Sequence, residues 1–338
     1  MNFKRKNVNK NELNIILSIF FLFVLFIFIS YFHNISKSLI NEDIDLKIES
    51  GENFYSLSDK FDINNIFLKI YLKLNKPAKS LQAGVYKLQA GDNLVSIIEK
   101  LQGKIYSEEI NLTLLEGWNI YDIDSYLFHK GFINEGEFIE KTTNYSKNLI
   151  TIYPFLENSK TLEGFLYPDT YSIEKGNFDL DVFINRLLNN FDTKVYKKIL
   201  FNFGNKEILD IINLSSIVEK EERNSTEKAI VAGILKKRLE ENWYLGADAT
   251  VCYPHKATRE TCTPSFVVNH IYEKNSYNTR TLLGLPSTPI SNPSLETIEA
   301  TINSKVTPYY YYLHDNDGKI HYATTNLEHE RNKALYLK

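Results

Sequence analysis

The chain has 338 residues, enough for one large or two modest domains. A hydrophobic content of 43% and a charged content of 24% exclude an intrinsically disordered chain. A net charge of −3 gives no global reason to expect a nucleic-acid partner, and the 22 Tyr and 21 Phe residues mostly read as core.

The first element is the run Leu13 to Phe32, LNIILSIFFLFVLFIFISYF, which is apolar and uncharged. A helix of about twenty such residues crosses a hydrocarbon core of about 30 Å. Lys4, Arg5, Lys6 and Lys10 precede it, and Lys37, Glu42 and Asp43 follow. That imbalance places residues 1–12 in the cytoplasm, residues 13–32 in the membrane and the remainder outside. A cleaved signal peptide is the alternative, but no A-x-A pattern follows the run.

After a polar linker, residues 33–45, the stretch 46–104 reads as a small α/β subdomain. SGENFYSLSDKF predicts a turn at Ser50-Gly51 and an amphipathic helix with Phe54, Leu57 and Phe61. Lys79 to Leu88 reads as a strand around Gly84. In AGDNLVSIIEKLQGK, Asp92 is the expected N-cap, Leu94, Ile97, Ile98 and Leu101 form an apolar stripe, and Gly103 stops the helix. A strand, Gly-Asp-Asn-Leu and an amphipathic helix resemble a LysM-type module, a class that binds N-acetyl sugars. A structural subdomain with no glycan affinity is the plainer alternative.

Residues 105–338 read as a larger mixed α/β domain, making the whole an α+β chain. A strand is predicted over 109–115, a helix over Ile120 to Phe128 ended by Gly131, and a helix from Phe138 to Tyr145. TLEGFLYPDTYS, Thr161 to Ser172, has Gly164, Pro168 and Asp169 and reads as a loop or strand edge. Helices follow over Phe178 to Leu200 and Lys206 to Arg223. Asn224 then caps a further helix, with Glu227 completing a capping box and Ile230, Val231, Ile234, Leu235 and Leu239 buried. Loops run to Pro293, a helix covers Leu295 to Ser304, and a hairpin ends the chain, Tyr309 to Leu313 pairing with Ile320 to Ala323 around Asp315-Asn316-Asp317-Gly318.

Cys252 and Cys262 are the two cysteines. In an extracytoplasmic domain they are expected to form a disulfide. A zinc site with His255 and His270 and a pair of free thiols are the alternatives, though C-x2-H-x6-C-x7-H matches no standard zinc spacing. GxSxG, P-loop, GxGxxG and HExxH motifs are all absent, which removes the usual signals for serine, nucleotide and zinc chemistry.

SSIVEKEER ends an apolar helix with Glu219, Glu221 and Glu222. Ser215 and Ser216 lie on the face of Glu219, where small side chains could leave room for a ligand. Glu221 continues the line of Leu214, Ile217 and Val218 and reads as a partly buried, partnered carboxylate; Glu222 reads as solvent-facing. Periodicity does not choose between Glu219 and Glu221, and an EKEE run is ordinarily just a charged helix end.

SSIVEKEE, an amphipathic helix ending KKRL and then GADATVCY resemble the signature of the MltG/YceG-like endolytic murein transglycosylases. LLEGW (Leu114–Trp118), LEGFLYPDTY (Leu162–Tyr171), YNTRTLLGLPSTPISNPS (Tyr277–Ser294) and YYYYLHDNDGKIHYATTN follow that family's landmarks in order. YNTR stands where the family more often has YNTY.

The resemblance implies a single-pass protein of the bacterial inner membrane that cuts the MurNAc–GlcNAc bond of nascent peptidoglycan strands. It implies Glu219 as the catalytic residue and no cofactor, and it places the protein near peptidoglycan synthases. A glutamic acid in a partly apolar cleft could donate a proton to the leaving oxygen and then accept one. Asp248, Thr250, Tyr277, Asn278 and Thr279 are expected to orient sugar hydroxyls and acetamido groups, with Glu163 and Tyr167 lining the cleft and Glu221 in support. Two alternatives stay open: a glycan hydrolase using Glu219 and Asp248, and a non-catalytic wall-binding scaffold.

Overall fold

The computed structural model describes residues 10–77, 81–103, 109–258 and 260–337. The basic residues Lys4, Arg5 and Lys6, and the start of the predicted strand at Lys79, lie outside them. The chain divides into two compact units, residues 1–110 with 174–177, and residues 111–173 with 178–338.

The first unit begins with α1 (Lys10–Ser36). Within it, 14–36 is long and apolar enough to cross a membrane, and its side chains from Ile15 to Phe32 stand largely exposed. Only its last turns join a core, through Tyr31 and Ile35. Strand β1 (Ile44–Ile48) leads through a single 3-10 turn at Phe54–Ser56 into α2 (Leu57–Phe61), then α3 (Asn65–Asn75), β2 (Gly84–Leu88) and α4 (Leu94–Gln102). β1 and β2 are antiparallel, Ile44 opposite Leu88 and Ile48 opposite Gly84. Their inner residues Leu46, Ile48, Tyr86 and Leu88 pack on Leu57, Leu68, Leu94, Ile97 and Ile98.

The helix predicted from Phe54 to Phe61 is thus split, and α3 follows with its own cap, Asn64, which accepts from Ile66 N–H. The cap of α4 is Asn93, not Asp92. Asn93 Oδ1 accepts from the Val95 and Ser96 N–H groups, while Asp92 receives the Ser96 hydroxyl and pairs with Lys100 at 2.5 Å. Adjacent Asp and Asn residues are both good caps, and the backbone turn decides between them.

The second unit contains β3 (Glu109–Thr113), which starts at the end of the first, then α5 (Ile120–His129), α6 (Glu137–Thr143), α7 (Asn148–Ile152) and β4 (Thr170–Glu174), the partner of β3. α8 (Leu180–Phe191) continues as a π-helical stretch, Asp192–Leu200. α9 (Asn205–Glu221) and α10 (Ser225–Glu240) follow, then the short α11 (Ala249–Cys252) and α12 (Pro264–His270), α13 (Leu295–Ile302), the hairpin β5 (Tyr311–His314) and β6 (Ile320–Ala323), and α14 (Asn326–Tyr336).

The hairpin turns where DNDG predicts, with Gly318 at φ +78° and its N–H bonded to Asp315 O at 3.0 Å. α11, α12 and α14 are helices where loops or a chain end were expected. Each is short or weakly amphipathic; Thr263 caps α12 and Thr325 caps α14, whereas α11 is a single turn without a side-chain cap. Asn224 caps α10 through Thr226 N–H, but Glu227 does not close a box; it accepts a 2.5 Å hydrogen bond from the Tyr322 hydroxyl instead.

α9, α10 and α13 form the centre of this unit. Gly233 on α10 makes the close approach possible: a Cβ there would sit 2.0 Å from Lys305 O, just beyond α13. Leu214, Ile217, Val218, Val231, Ala232 and Leu235 are all buried there.

Candidate active site

Three sequence landmarks converge on one buried side chain, Asn292. Its Oδ1 accepts from the N–H groups of Gly164 (2.9 Å) and Leu166 (3.0 Å), and its Nδ2 donates to Trp118 O (3.0 Å) and Glu163 Oε1 (2.8 Å). Its backbone bonds Gly117 N–H at 2.9 Å and Trp118 O at 2.8 Å. The LEGW, LEGF and ISNPS segments are thereby joined. Lys220 ties the last turn of α9 to the same place by donating to Gly117 O at 2.9 Å. Gly117 has φ +74°, and a Cβ there would lie 3.3 Å from Glu219 Cγ, so a side chain would crowd the glutamate.

Glu219 lies on the wall of a cleft of about 430 Å³ that Glu116, Lys228, Glu221, Asp248, Tyr253 and Glu296 also line. Its side chain is 7% exposed. Oε2 accepts from Ser294 N–H at 2.9 Å, the Ser294 hydroxyl at 2.8 Å and the Thr297 hydroxyl at 2.5 Å. Ser294 is also the N-cap of α13, so the start of that helix is the bracket for the carboxyl group. Oε1 faces Lys228 Nζ at 3.4 Å, and Lys228, itself 3% exposed, reaches Glu296 at 3.8 Å.

The partly apolar surround expected for Glu219 is therefore replaced by a polar one. Neither do Ser215 and Ser216 leave space beside it. Both are fully buried, their hydroxyls bonded to Ile211 O and Asn213 O, and Ser216 also receives Ile290 N–H at 3.0 Å. They let the 286–294 segment pack close to α9.

Burial raises the pKa of Glu116 on the cleft wall, and the Glu219 charge adds to the rise against Lys228. Glu221 is likewise raised, burial outweighing the 2.8 Å hydrogen bond from the Tyr312 hydroxyl. Glu222 is not solvent-facing: it is 3% exposed, accepting Asn224 N–H at 2.7 Å and pairing with His314 Nε2 at 2.9 Å. The chain leaves the helix in an extended conformation at Glu222, and this turns the side chain inward.

The remaining expected residues fall into two groups. Asp248 lines the cleft, exposed, and Arg280 holds its Oδ1 through Nε at 2.8 Å. Thr250, Asn278 and Thr279 are fully buried and do not face the cleft. Thr250 and Thr279 share a hydroxyl contact of 2.9 Å, and Thr279 Oγ1 accepts Ala247 N–H at 3.0 Å, which fixes the backbone before Asp248. Asn278 Nδ2 bonds the carbonyls of Ile271 and Glu273. The Tyr277 ring packs at a tilt on Tyr253, centroids 4.9 Å apart, and its hydroxyl contacts that of Thr288 at 3.0 Å.

Glu163 is fully buried and does not line the cleft. It accepts from Ile120 N–H and the Tyr253 hydroxyl, and burial pushes its carboxyl up to about 8 despite those bonds. Tyr167 is half-buried beside Lys194 and is not a lining residue. The small polar residues Thr250, Asn278 and Thr279 thus serve to hold loops.

Cys252 and Cys262 form a disulfide with Cα atoms 5.6 Å apart, which removes the cysteine-based zinc alternative. Both half-cystines line the cleft. Sequence reasoning missed Lys228, Ser294, Thr297, Glu116 and Asn292. Glu116, Asn292 and Ser294 lie inside quoted landmarks, whereas nothing local marks Lys228 or Thr297.

The YceG-like family model matches residues 46–335. The endolytic murein transglycosylase of Bacillus subtilis (strain 168) is 25% identical over 319 residues, covering 89% of this chain and 86% of that protein. The Streptococcus pneumoniae (strain D39) protein of the same name is 26% identical over 304 residues, covering 81% of this chain and 54% of its own length. The chain therefore spans about half of the pneumococcal relative. A crystal structure of a yceG-like protein from Listeria monocytogenes matches with a TM-score of 0.58 at 24% identity, covering 86% of this chain and 99% of that one, which shows a shared fold. With a match running almost end to end beyond α1, the chain belongs to the YceG-like family.

Proposed function

We propose that this chain is an endolytic murein transglycosylase, anchored by α1 with its N-terminus in the cytoplasm and working on peptidoglycan strands outside. The reading rests on Glu219: three donors hold Oε2 from one side, which leaves Oε1 as the oxygen with capacity to meet a substrate in the cleft. The relatives' names supply the substrate class.

In this reading protonated Glu219 gives its proton to the glycosidic oxygen as the MurNAc C1–O bond breaks. The C6 hydroxyl of the same MurNAc attacks the oxocarbenium-like C1, and its proton returns to Glu219. A 1,6-anhydroMurNAc end forms, and no water is consumed. Lys228 sits where it can steady the glutamate while its charge changes, and Asp248 and Glu221 stand along the groove to meet sugar hydroxyls. The β1–α2–α3–β2 order of the first unit supports the LysM-like reading and, with it, a second grip on the glycan.

A hydrolase reading also has an observation in its favour, because Asp248 lines the same cleft as Glu219. One digest separates them. Purified peptidoglycan is incubated with the full chain in detergent, and the ends are read by mass spectrometry. Anhydro ends support transglycosylation; reducing ends one water heavier support hydrolysis with Asp248. Glu219→Gln is expected to lower the rate by about 10³-fold or more with the fold intact. Cutting at the wild-type rate by that variant would refute the assignment, and glycan binding without any cutting by the wild type would favour a scaffold.

A further inference from the structure

Beside the disulfide, three side chains converge: His255, which ends the turn after α11, His270, the last residue of α12, and Glu273 in the turn that follows. Glu273 Oε2 lies 2.8 Å from His255 Nε2, and its Oε1 lies 2.7 Å from His270 Nδ1. The two imidazole rings are 4.3 Å apart, and Phe266 packs 4.3 Å from one and 5.3 Å from the other.

We infer that His255, His270 and Glu273 form a binding site for a zinc-class divalent transition-metal ion, independent of the Glu219 chemistry. Two neutral imidazoles and one carboxylate make a donor set that suits zinc and its neighbours in the first transition row; magnesium and calcium prefer all-oxygen sets. A tetrahedral ion with bonds of about 2.0–2.2 Å needs its ligand atoms about 3.3 Å apart. The three donors already lie within 4.8 Å of one another, so small side-chain rotations complete the geometry.

The backbone under the site is fixed before any ion arrives. The Cys252–Cys262 disulfide ties the two histidine-bearing segments together. Glu273 O accepts from Asn278 Nδ2 at 2.7 Å and from the Thr281 hydroxyl at 2.9 Å, and Glu273 N–H bonds His270 O at 3.0 Å. The side chains of His255, His270 and Glu273 remain 30%, 29% and 45% exposed, which leaves a coordination position for water. Cys252, Thr258 and Cys262 line the Glu219 cleft, so an ion here would stiffen that wall.

The test is calorimetric titration of Zn²⁺ into the full, disulfide-intact chain in detergent near neutral pH, with Mg²⁺ as competitor. One saturable equivalent is expected, unaffected by Mg²⁺. His270→Ala and Glu273→Gln should each weaken it by roughly tenfold or more, whereas His129→Ala should not. Co²⁺ added to the wild type should give the intense visible absorption of a four-coordinate ion, a readout that needs no variant to fold. Absence of saturable binding by the wild type, or wild-type affinity in both site variants, would overturn the inference and leave an imidazole–carboxylate cluster only.

Discussion

Lys228 Nζ lies 3.4 Å from Glu219 Oε1, across the turn between two consecutive helices, with the two side chains 3% and 7% exposed. A pair this buried has lost most of its water, so each member depends on the other and on its hydrogen bonds. Glu219 has three such bonds besides the lysine, whereas Glu296, which also pairs with Lys228, stands 3.8 Å away and is half exposed.

The costs of removing the two members should therefore not add. Lys228→Met is expected to destabilise the fold by about 3 kcal/mol in urea unfolding. Combining it with Glu219→Gln should recover at least about 1 kcal/mol relative to the sum of the single changes. Strict additivity would mean that the two side chains do not interact.

Much of this arrangement was legible in the chain itself. The helix carrying Glu219, the capped helix after it and the DNDG hairpin all have strong local signals, and each formed within a few residues of its expected bounds. Lys228 was not legible, because in STEKAIV it reads as one more polar position of an amphipathic helix. Its burial follows from how α10 crosses α9. Ser215 and Ser216 misled for the same reason: small residues on a face signal a close approach, and here a backbone segment makes that approach. Thr250, Asn278 and Thr279 sit inside landmark motifs as a substrate contact would, yet each spends its polar groups on neighbouring backbone.

Glu163 makes stability depend on pH with a definite sign. Its buried carboxyl is pushed up to about 8, whereas in the unfolded chain it titrates at about 4.3. Between those values the native state holds a proton that the unfolded state has lost. The stability it contributes is complete below the unfolded value and is lost as pH climbs through about 8. The slope in that window is about 1.4 kcal/mol per pH unit. Urea unfolding of wild type and Glu163→Gln across the window should show the wild-type advantage shrinking toward alkaline pH. A constant difference would contradict the raised value.

The pair His314 and Glu222 has a different profile. The Glu222 hydrogen bond holds His314 above its ordinary range against opposing burial. Burial works against Glu222 as an anion, but the bonds from His314 and Asn224 outweigh it and hold the carboxyl low. The histidine contribution is complete below about pH 6.5 and is lost as pH rises through the raised value. The glutamate contribution is present above about pH 4.3 and is lost on acidification through the lowered one. His314→Ala should therefore cost most at about pH 6, roughly 1.5 kcal/mol after allowing for the partial exposure of the ring. At alkaline pH, above the raised value, the cost should be smaller. Equal losses at both pH values would show that the ring acts by packing alone.

Gly233 offers the sharpest test of how the site is assembled. In an ordinary exposed helix, Gly→Ala stabilises by about 1 kcal/mol, because alanine has less backbone freedom to lose. At Gly233 the added methyl would stand 2.0 Å from Lys305 O and 3.0 Å from Lys305 C, both backbone atoms of the segment that follows α13. Lys305 N–H is bonded to Ala229 O at 2.9 Å, so that segment cannot retreat without breaking its tie to α10. α13 in turn carries Thr297 and is capped by Ser294, the two residues that hold Glu219 Oε2. Gly233→Ala should then cost about 3 kcal/mol in urea unfolding, the opposite of the helix-propensity expectation. In the folded fraction, kcat for glycan cutting should fall about tenfold, because a shift of α13 loosens the bracket on the glutamate. A Gly233→Ala protein as stable as wild type would show that α10 and the 303–305 segment are not in close contact and that their crossing does not hold the Glu219 bracket.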